Sequence, residues 1–129
     1  MILFLDTSDP EQTSVYLLGK DKLKAHAWPS RRTQQENLHS QIAKFLKKSK
    51  TDLKKVEKLA VVTGPGQFSR VRTGVVTANT LAYALKVPVI GVRKLGTGVN
   101  FSALLKQKGQ KQVEVYYDRA PNITKPNKK

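Results

Sequence analysis

The segment spanning residues 59–92 constrains the fold more than any other part of the chain. Residues 59–63 (LAVVT) form an unbroken apolar run, which is typical of a strand buried on both faces. A Gly-Pro-Gly turn ends this run at residues 64–66, and the apolar pattern that follows predicts a helix over residues 69–85. A second buried strand is predicted at residues 87–92. Two such strands joined by a helix favour a parallel pair with a right-handed crossover.

The first 28 residues predict three antiparallel strands, at residues 2–5, 13–18 and 23–28. The turn that begins at Gly19 makes the second and third strands a hairpin. A helix is predicted over residues 32–48, because apolar side chains recur there at helical spacing.

Three further elements are predicted from weaker patterns. They are a short helical turn at residues 51–56, a third helix within residues 93–108, and alternation at residues 112–117 that an edge strand could produce.

The resulting order β-β-β-α-β-α-β-α describes a single RNase H-like lobe of the actin/hexokinase (ASKHA) type, an α/β fold with a five-stranded mixed sheet. A chain of 129 residues is long enough for one such domain. We expect this domain to occupy residues 1–118. Residues 119–129, rich in Lys and Pro, are expected to form a basic tail without stable structure.

Charge is the most extreme feature of the composition. Lys and Arg total 24 against 9 acids, a formal net charge of +15 that attracts polyanions such as nucleic acids. The alternative is a general contribution to solubility, because no basic motif is interleaved with aromatic residues. The candidate RNA-contacting residues are Lys44, Lys47, Lys48, Arg70 and Arg72.

The composition also excludes several classes of site. A chain without cysteine has no disulfide framework and no thiolate metal site. No apolar run is long enough to cross a bilayer, and no basic segment precedes the apolar start as a signal peptide requires. We therefore expect a cytoplasmic protein with no membrane partner.

Two turns could face an anion or a nucleotide. The acid and hydroxyls that follow the first strand could hold a metal ion and phosphate, or they could simply bond nearby backbone N–H groups, which is the interpretation favoured here. The glycine turn could present N–H groups to an anion at the start of a helix, or it could only allow a tight reversal. The residues concerned are Asp6, Thr7, Ser8, Gly64, Gly66 and Ser69.

Catalysis by histidine is not indicated. His26 and His39 have no second histidine or carboxylate at metal-ligand spacing, and no local motif places a nucleophile. We expect no catalytic and no metal-binding residue.

The helix predicted over residues 69–85 has a smooth stripe, because Gly74, Ala78 and Ala82 recur every four residues. Apolar residues also cover its adjoining faces, so we expect the helix to need a second partner beside its own sheet. Ala78→Arg is then expected to abolish pairing while the monomer stays folded. The expected partner-interface residues are Leu38, Ile42, Phe45, Val71, Gly74, Val75, Ala78 and Ala82.

Three stretches together resemble the TsaB family, the dimerisation subunit of the machinery that installs threonylcarbamoyladenosine in tRNA. They are LFLDTS at the start, VVTGPGQFSRVRTGVVTANTLAYALKVPVIGV at residues 61–92, and YYDRAPNITKP near the end. The resemblance implies a non-catalytic subunit that pairs through its first two helices with a TsaD-like catalytic subunit, which a TsaE-like ATPase can join. We expect no cofactor of the chain's own, with ATP only in an assembled complex, and the same helix faces could form a homodimer where the partner is absent.

The chain departs from the family pattern in two ways: Arg70 stands where the family has glycine, and the second lobe is expected to be largely missing. The catalytic relative has two metal-binding histidines that would fall at Lys94 and Gly98, and neither residue can bind the metal. Two alternatives stay open. One is an independent ATP-binding kinase-like or peptidase-like enzyme of the same fold. The other is a basic tRNA-binding accessory protein, in which the lysines between residues 44 and 58 and those of the tail contact tRNA phosphates.

Overall fold

A computed structural model describes residues 1–9, 11–19, 22–29, 34–66, 68–93 and 101–114. Strands and helices follow one another in the predicted order. The strands are β1 (Ile2–Asp6), β2 (Gln12–Leu18), β3 (Leu23–Pro29), β4 (Lys58–Gly64) and β5 (Val89–Arg93), and the helices are α1 (Gln34–Lys48), α2 (Phe68–Leu85) and α3 (Phe101–Lys106), with a 3₁₀ turn at Leu53–Lys55.

The five strands form one mixed sheet in the order β3-β2-β1-β4-β5. β1 runs antiparallel to β2, with Leu3 opposite Leu17, and parallel to β4, where Leu3 lies beside Leu59. β2 and β3 form the predicted hairpin, and β4 and β5 are parallel. This arrangement confirms the predicted RNase H-like lobe.

β1 lies at the centre of the sheet and is buried along its whole length. Leu3 and Leu5 face a core that α1 and α2 cover, while Phe4 faces a second cluster that includes Leu104 of α3. Because alternate side chains of a strand point to opposite faces, an apolar run without alternation is what a doubly covered strand requires.

β3 forms one edge of the sheet and is anchored on α1. The His26 ring stacks between Trp28 and Phe45, with ring centroids 5.4 and 6.0 Å away, and its Nε2 lies 3.1 Å from Gln41 Oε1. Lys24 Nζ donates to the Ser49 carbonyl at 3.2 Å, just beyond the end of α1. His26 therefore has a packing role, and His39 lies exposed on α1.

The segment after α3 differs from the sequence-based expectation. Residues 112–114 are not in a strand, and residues 115–117 lie outside the described part of the chain. Instead Gln110 forms a single antiparallel bridge with Val89, with both N···O distances at 2.7 Å. Three residues later the backbone is held by a side chain of α2. Asn79 Nδ2 donates to the Val113 carbonyl at 2.8 Å, and Asn79 Oδ1 accepts from Val113 N–H at 2.9 Å.

Two other predictions have no structural counterpart here. The domain boundary at residue 118 and the tail at residues 119–129 lie outside the described residues and stay predictions.

Within the described residues, no helix combines the length and the hydropathy that crossing a membrane requires.

Candidate functional site

The first candidate turn follows β1 and is held by its own side chains. Asp6 Oδ1 accepts hydrogen bonds from Ser8 N–H at 3.0 Å and from the Ser8 hydroxyl at 2.7 Å. This geometry is an Asx turn, in which a carboxylate bonds the backbone two residues later. Asp6, Thr7 and Ser8 are all buried, with exposed fractions of 6%, 0% and 5%.

This turn packs directly on the glycine turn and on α2. A Cβ added at Gly66 would lie 2.7 Å from Ser8 Cβ, and one added at Gly74 would overlap the Thr7 side chain. Thr7 Oγ1 also donates to the Arg70 carbonyl at 2.7 Å, inside the first turns of α2. Gly66 is therefore required because two backbone segments approach closely, and Gly74 because the Thr7 side chain packs against the α2 backbone.

The structure brings the two turns together, since β1 and β4 are parallel neighbours whose carboxyl ends share one edge of the sheet. Ser8 lies against Gly66, and its hydroxyl donates to Asp6 Oδ1. Gly64 adopts φ 133°, a conformation that favours glycine. Ser69, by contrast, is exposed.

This arrangement suits a structural turn, because its hydroxyls and carboxylate already have partners. Among the described residues, no group of three or more His, Cys, Asp or Glu side chains could hold a metal ion.

The residues predicted for the partner interface lie in the core of the described structure. The seven of its members that carry a side chain larger than hydrogen are at most 5% exposed and belong to the main core cluster. Gly74 lies against Thr7 instead of forming part of a surface. The small residues of α2 let that helix lie close to its own sheet, so they are covered within the monomer. The buried set is Leu38, Ile42, Phe45, Val71, Val75, Ala78 and Ala82.

A different face of α2 is free in this structure. Val76 and Tyr83 are 54% and 85% exposed, and together with Leu23 on β3 they are the exposed large hydrophobic residues of the described chain. Arg72, Val76 and Thr80 follow one another at four-residue spacing along the exposed side. Because two of these three residues are polar, their spacing could have predicted from the sequence which side of α2 faces solvent. The prediction of a partner interface rested on the stripe of small residues instead.

A groove of about 450 Å³ lies between α1 and α2, beside this exposed side of α2. Its walls include Ala43 and Leu46 of α1, Leu53 of the 3₁₀ turn and Leu81 of α2, and Lys47 also lines it. Tyr83 lines a different cavity, with Lys86 and Gln110. We call the exposed side of α2 formed by Val76, Thr80 and Tyr83 the helix face.

Four of the five predicted RNA-contacting residues are exposed, at two places on the surface, and the fifth is buried. Lys44, Lys47 and Lys48 are exposed near the end of α1, and Arg72 is exposed near the start of α2. Arg70 is only 6% exposed, so it contributes little to the surface of the described structure. Its backbone carbonyl accepts a hydrogen bond from Thr7 Oγ1 of the β1 turn.

Comparison with known proteins identifies one family. The model of the family described as TsaD: tRNA N6-adenosine threonylcarbamoyltransferase matches residues 29–113. The chain is 34% identical over 96 residues to the tRNA threonylcarbamoyladenosine biosynthesis protein TsaB of Escherichia coli, a match covering 74% of this chain and 41% of TsaB. It is 40% identical over 60 residues to the tRNA N6-adenosine threonylcarbamoyltransferase of Methylorubrum extorquens, covering 46% of this chain and 17% of that protein.

Comparison with solved structures finds the same similarity. YeaZ from Pseudomonas aeruginosa superposes with a TM-score of 0.68 and 33% identity, covering 73% of this chain and 44% of YeaZ. The matched region thus spans about two fifths of the TsaB and YeaZ chains and a smaller share of the transferase.

Proposed function

Because this chain belongs to the TsaD family of tRNA N6-adenosine threonylcarbamoyltransferases and is similar within it to TsaB, we propose that it is a non-catalytic subunit in the threonylcarbamoyladenosine modification of tRNA. In this role it pairs with a TsaD-like catalytic subunit, and a TsaE-like ATPase joins the pair. ATP is bound only in the assembled complex.

The observation that carries this proposal is the extent of the two kinds of match. The TsaD family model matches residues 29–113, but in pairwise comparison similarity to TsaB covers 74% of the chain, whereas similarity to the transferase of Methylorubrum extorquens covers 46%. The longer match favours the partner subunit over the transferase itself.

The residues of the chain support a role without catalysis. Lys94 and Gly98 stand where the resemblance places the metal-binding histidines of the transferase, and neither side chain is a metal ligand of that kind. The β1 turn supports the same role, since Asp6 and Ser8 bond each other in a buried position.

We assign pairing to the helix face. The resemblance places the family's contact on the first two helices, and Val76 and Tyr83 are the large apolar side chains that the described part of these helices leaves exposed. Val76 and Tyr83 provide apolar area at its centre, and the groove along Leu81 can receive a side chain from the partner. The same surface would form a homodimer where the partner is absent.

The test is co-expression of the full chain with the TsaD-like protein of the same organism, followed by affinity capture and size-exclusion chromatography. We expect a stable complex at micromolar concentration, and we expect Val76→Arg to weaken it at least tenfold. An arginine buried in an apolar contact without a partner costs several kcal/mol.

Leu23→Arg on β3 is the matched control. It changes the net charge equally, at a residue 53% exposed compared with 54% for Val76, but outside the helix face. Separate elution of the two wild-type proteins contradicts the proposal. Equal loss in both variants contradicts the assignment to the helix face.

A further inference from the structure

Exposed lysines gather at one end of the sheet, the end at which β1 and β4 begin. Several hydrogen bonds tie the surrounding segments together there. Glu57 N–H donates to the Met1 carbonyl at 2.8 Å, and Leu59 N–H donates to the Pro88 carbonyl at 3.0 Å, which brings in the connection after α2. We call this surface the basic end and define it by exposed residues on α1, around the 3₁₀ turn and after α2. They are Lys47, Lys48, Lys50, Lys54, Lys55 and Lys86.

The lysines at the end of α1 are not needed to cap that helix. Its last carbonyls accept from backbone N–H groups: Phe45 from Ser49 at 2.9 Å, Leu46 from Thr51 at 2.9 Å, and Lys47 from Lys50 at 3.0 Å. A cationic side chain near a helix end often serves this purpose, and here the backbone already does so. The ammonium groups are left to face solvent.

Acidic residues do little to neutralise this surface. Residues 44–58 contain seven lysines and two acids, a net charge of +5. Both acids have other partners, because Asp52 Oδ1 accepts from Lys54 N–H at 3.0 Å and Glu57 Oε2 lies 3.2 Å from the amino-terminal ammonium. The basic end therefore carries a concentrated positive field.

The side chains of the basic end indicate which class of molecule it binds. A protein partner needs an apolar centre within a polar rim, and no large hydrophobic residue between 44 and 58 is among the exposed ones. A binder of single strands stacks bases on several aromatic rings, whereas Tyr83 is the one strongly exposed aromatic side chain of the described residues. Compact ammonium charges without either feature suit the phosphate backbone of folded RNA.

We propose that the basic end binds the phosphate backbone of a structured RNA without reading its sequence. The inference rests on the proposed function, which makes tRNA the RNA in question. It narrows the predicted RNA-binding surface to lysines at this end of the sheet, adds Lys86, and leaves out the start of α2. Arg72 is then outside the surface and Lys54, Lys55 and Lys86 are within it.

The test is fluorescence anisotropy of the full chain with an unmodified tRNA transcript at several salt concentrations. With six phosphate contacts, the logarithm of the affinity should fall with the logarithm of salt at a slope of roughly −5. Lys54→Gln/Lys55→Gln should lower the slope magnitude by about 2 and weaken binding about tenfold or more near 0.1 M salt.

Arg72→Gln/Arg93→Gln is the matched control, since it removes the same charge at the other end of the sheet, where α2 starts and β5 ends. It should change the affinity less than threefold. Equal losses in the two double variants, or equally tight binding of polyglutamate, would overturn the proposal. So would no binding of the transcript at low salt. None of these measurements requires the TsaD-like subunit, so the outcome is independent of the pairing experiment.

Discussion

At the scale of single residues, Gly74 is a position where tight packing determines which amino acid the sequence can carry. It lies in the middle of α2, where glycine is a poor helix former compared with alanine. The structure explains its presence, because Thr7 occupies the space that a methyl group would need. The cost to the helix is offset by the close approach of the β1 turn.

Gly74→Ala should therefore destabilise the chain despite its gain in helix propensity. Overpacking costs about 1–3 kcal/mol and the propensity gain returns about 1, so we expect a net loss of up to about 2 kcal/mol in the free energy of unfolding. Urea denaturation followed by circular dichroism measures it. Thr80→Ala, at an exposed position of the same helix, is the control and should be neutral or slightly stabilising. A more stable Gly74→Ala variant would show that the β1 turn is not tightly packed.

At the scale of elements, α2 is the helix whose orientation the sequence did not determine. Its apolar residues surround most of the cylinder, so periodicity alone could not distinguish the side facing the sheet from the side facing solvent. A stripe of Gly74, Ala78 and Ala82 permits close approach of either a partner helix or the chain's own sheet. The structure shows the second arrangement.

The two orientations of α2 predict opposite behaviour for two substitutions. Ala78 is fully buried, so Ala78→Arg should overpack the core with an unpaired charge and cost more than about 3 kcal/mol, which unfolds a marginally stable chain. Val76→Arg, two residues earlier on the exposed side, should change stability by less than about 1 kcal/mol. Thermal unfolding followed by circular dichroism compares them, and a folded Ala78→Arg variant would restore the original interpretation of the stripe.

The strands were far easier to predict than the sites. Doubly buried strands such as β4 read as continuous apolar runs, and the order of elements then left one plausible sheet. The hydrogen bond from Thr7 to the Arg70 carbonyl could not be predicted in this way, because it joins residues 63 positions apart. The Asn79 bond to Val113 is likewise invisible in the sequence, since a helical asparagine gives no sign of a distant backbone partner.

At the scale of the whole molecule, the net charge of +15 opposes compaction as well as attracting polyanions. Lysines of the basic end repel one another across a short span, and dissolved salt screens that repulsion over roughly 10 Å at 0.1 M. Stability and RNA affinity should thus respond to salt in opposite directions.

We expect the melting temperature of the free chain to rise when KCl increases from 20 to about 300 mM, as screening relieves self-repulsion. Lys54→Gln/Lys55→Gln should raise the melting temperature at low salt and reduce the difference between the two salt conditions. Differential scanning calorimetry provides the measurement. A melting temperature that falls with KCl would mean that attractive charge pairs dominate in the folded chain.

Lys47 belongs to two surfaces at once, since it borders the groove between α1 and α2 and is also part of the basic end. A protein bound on the helix face and an RNA bound on the lysines would therefore meet at this residue. Their affinities are then thermodynamically linked, and each must alter the other by the same factor. If the protein partner places an acidic side chain beside Lys47, each ligand should weaken binding of the other. If the partner instead adds positive charge beside Lys47, the two proteins together present a larger positive surface, and each ligand should strengthen binding of the other.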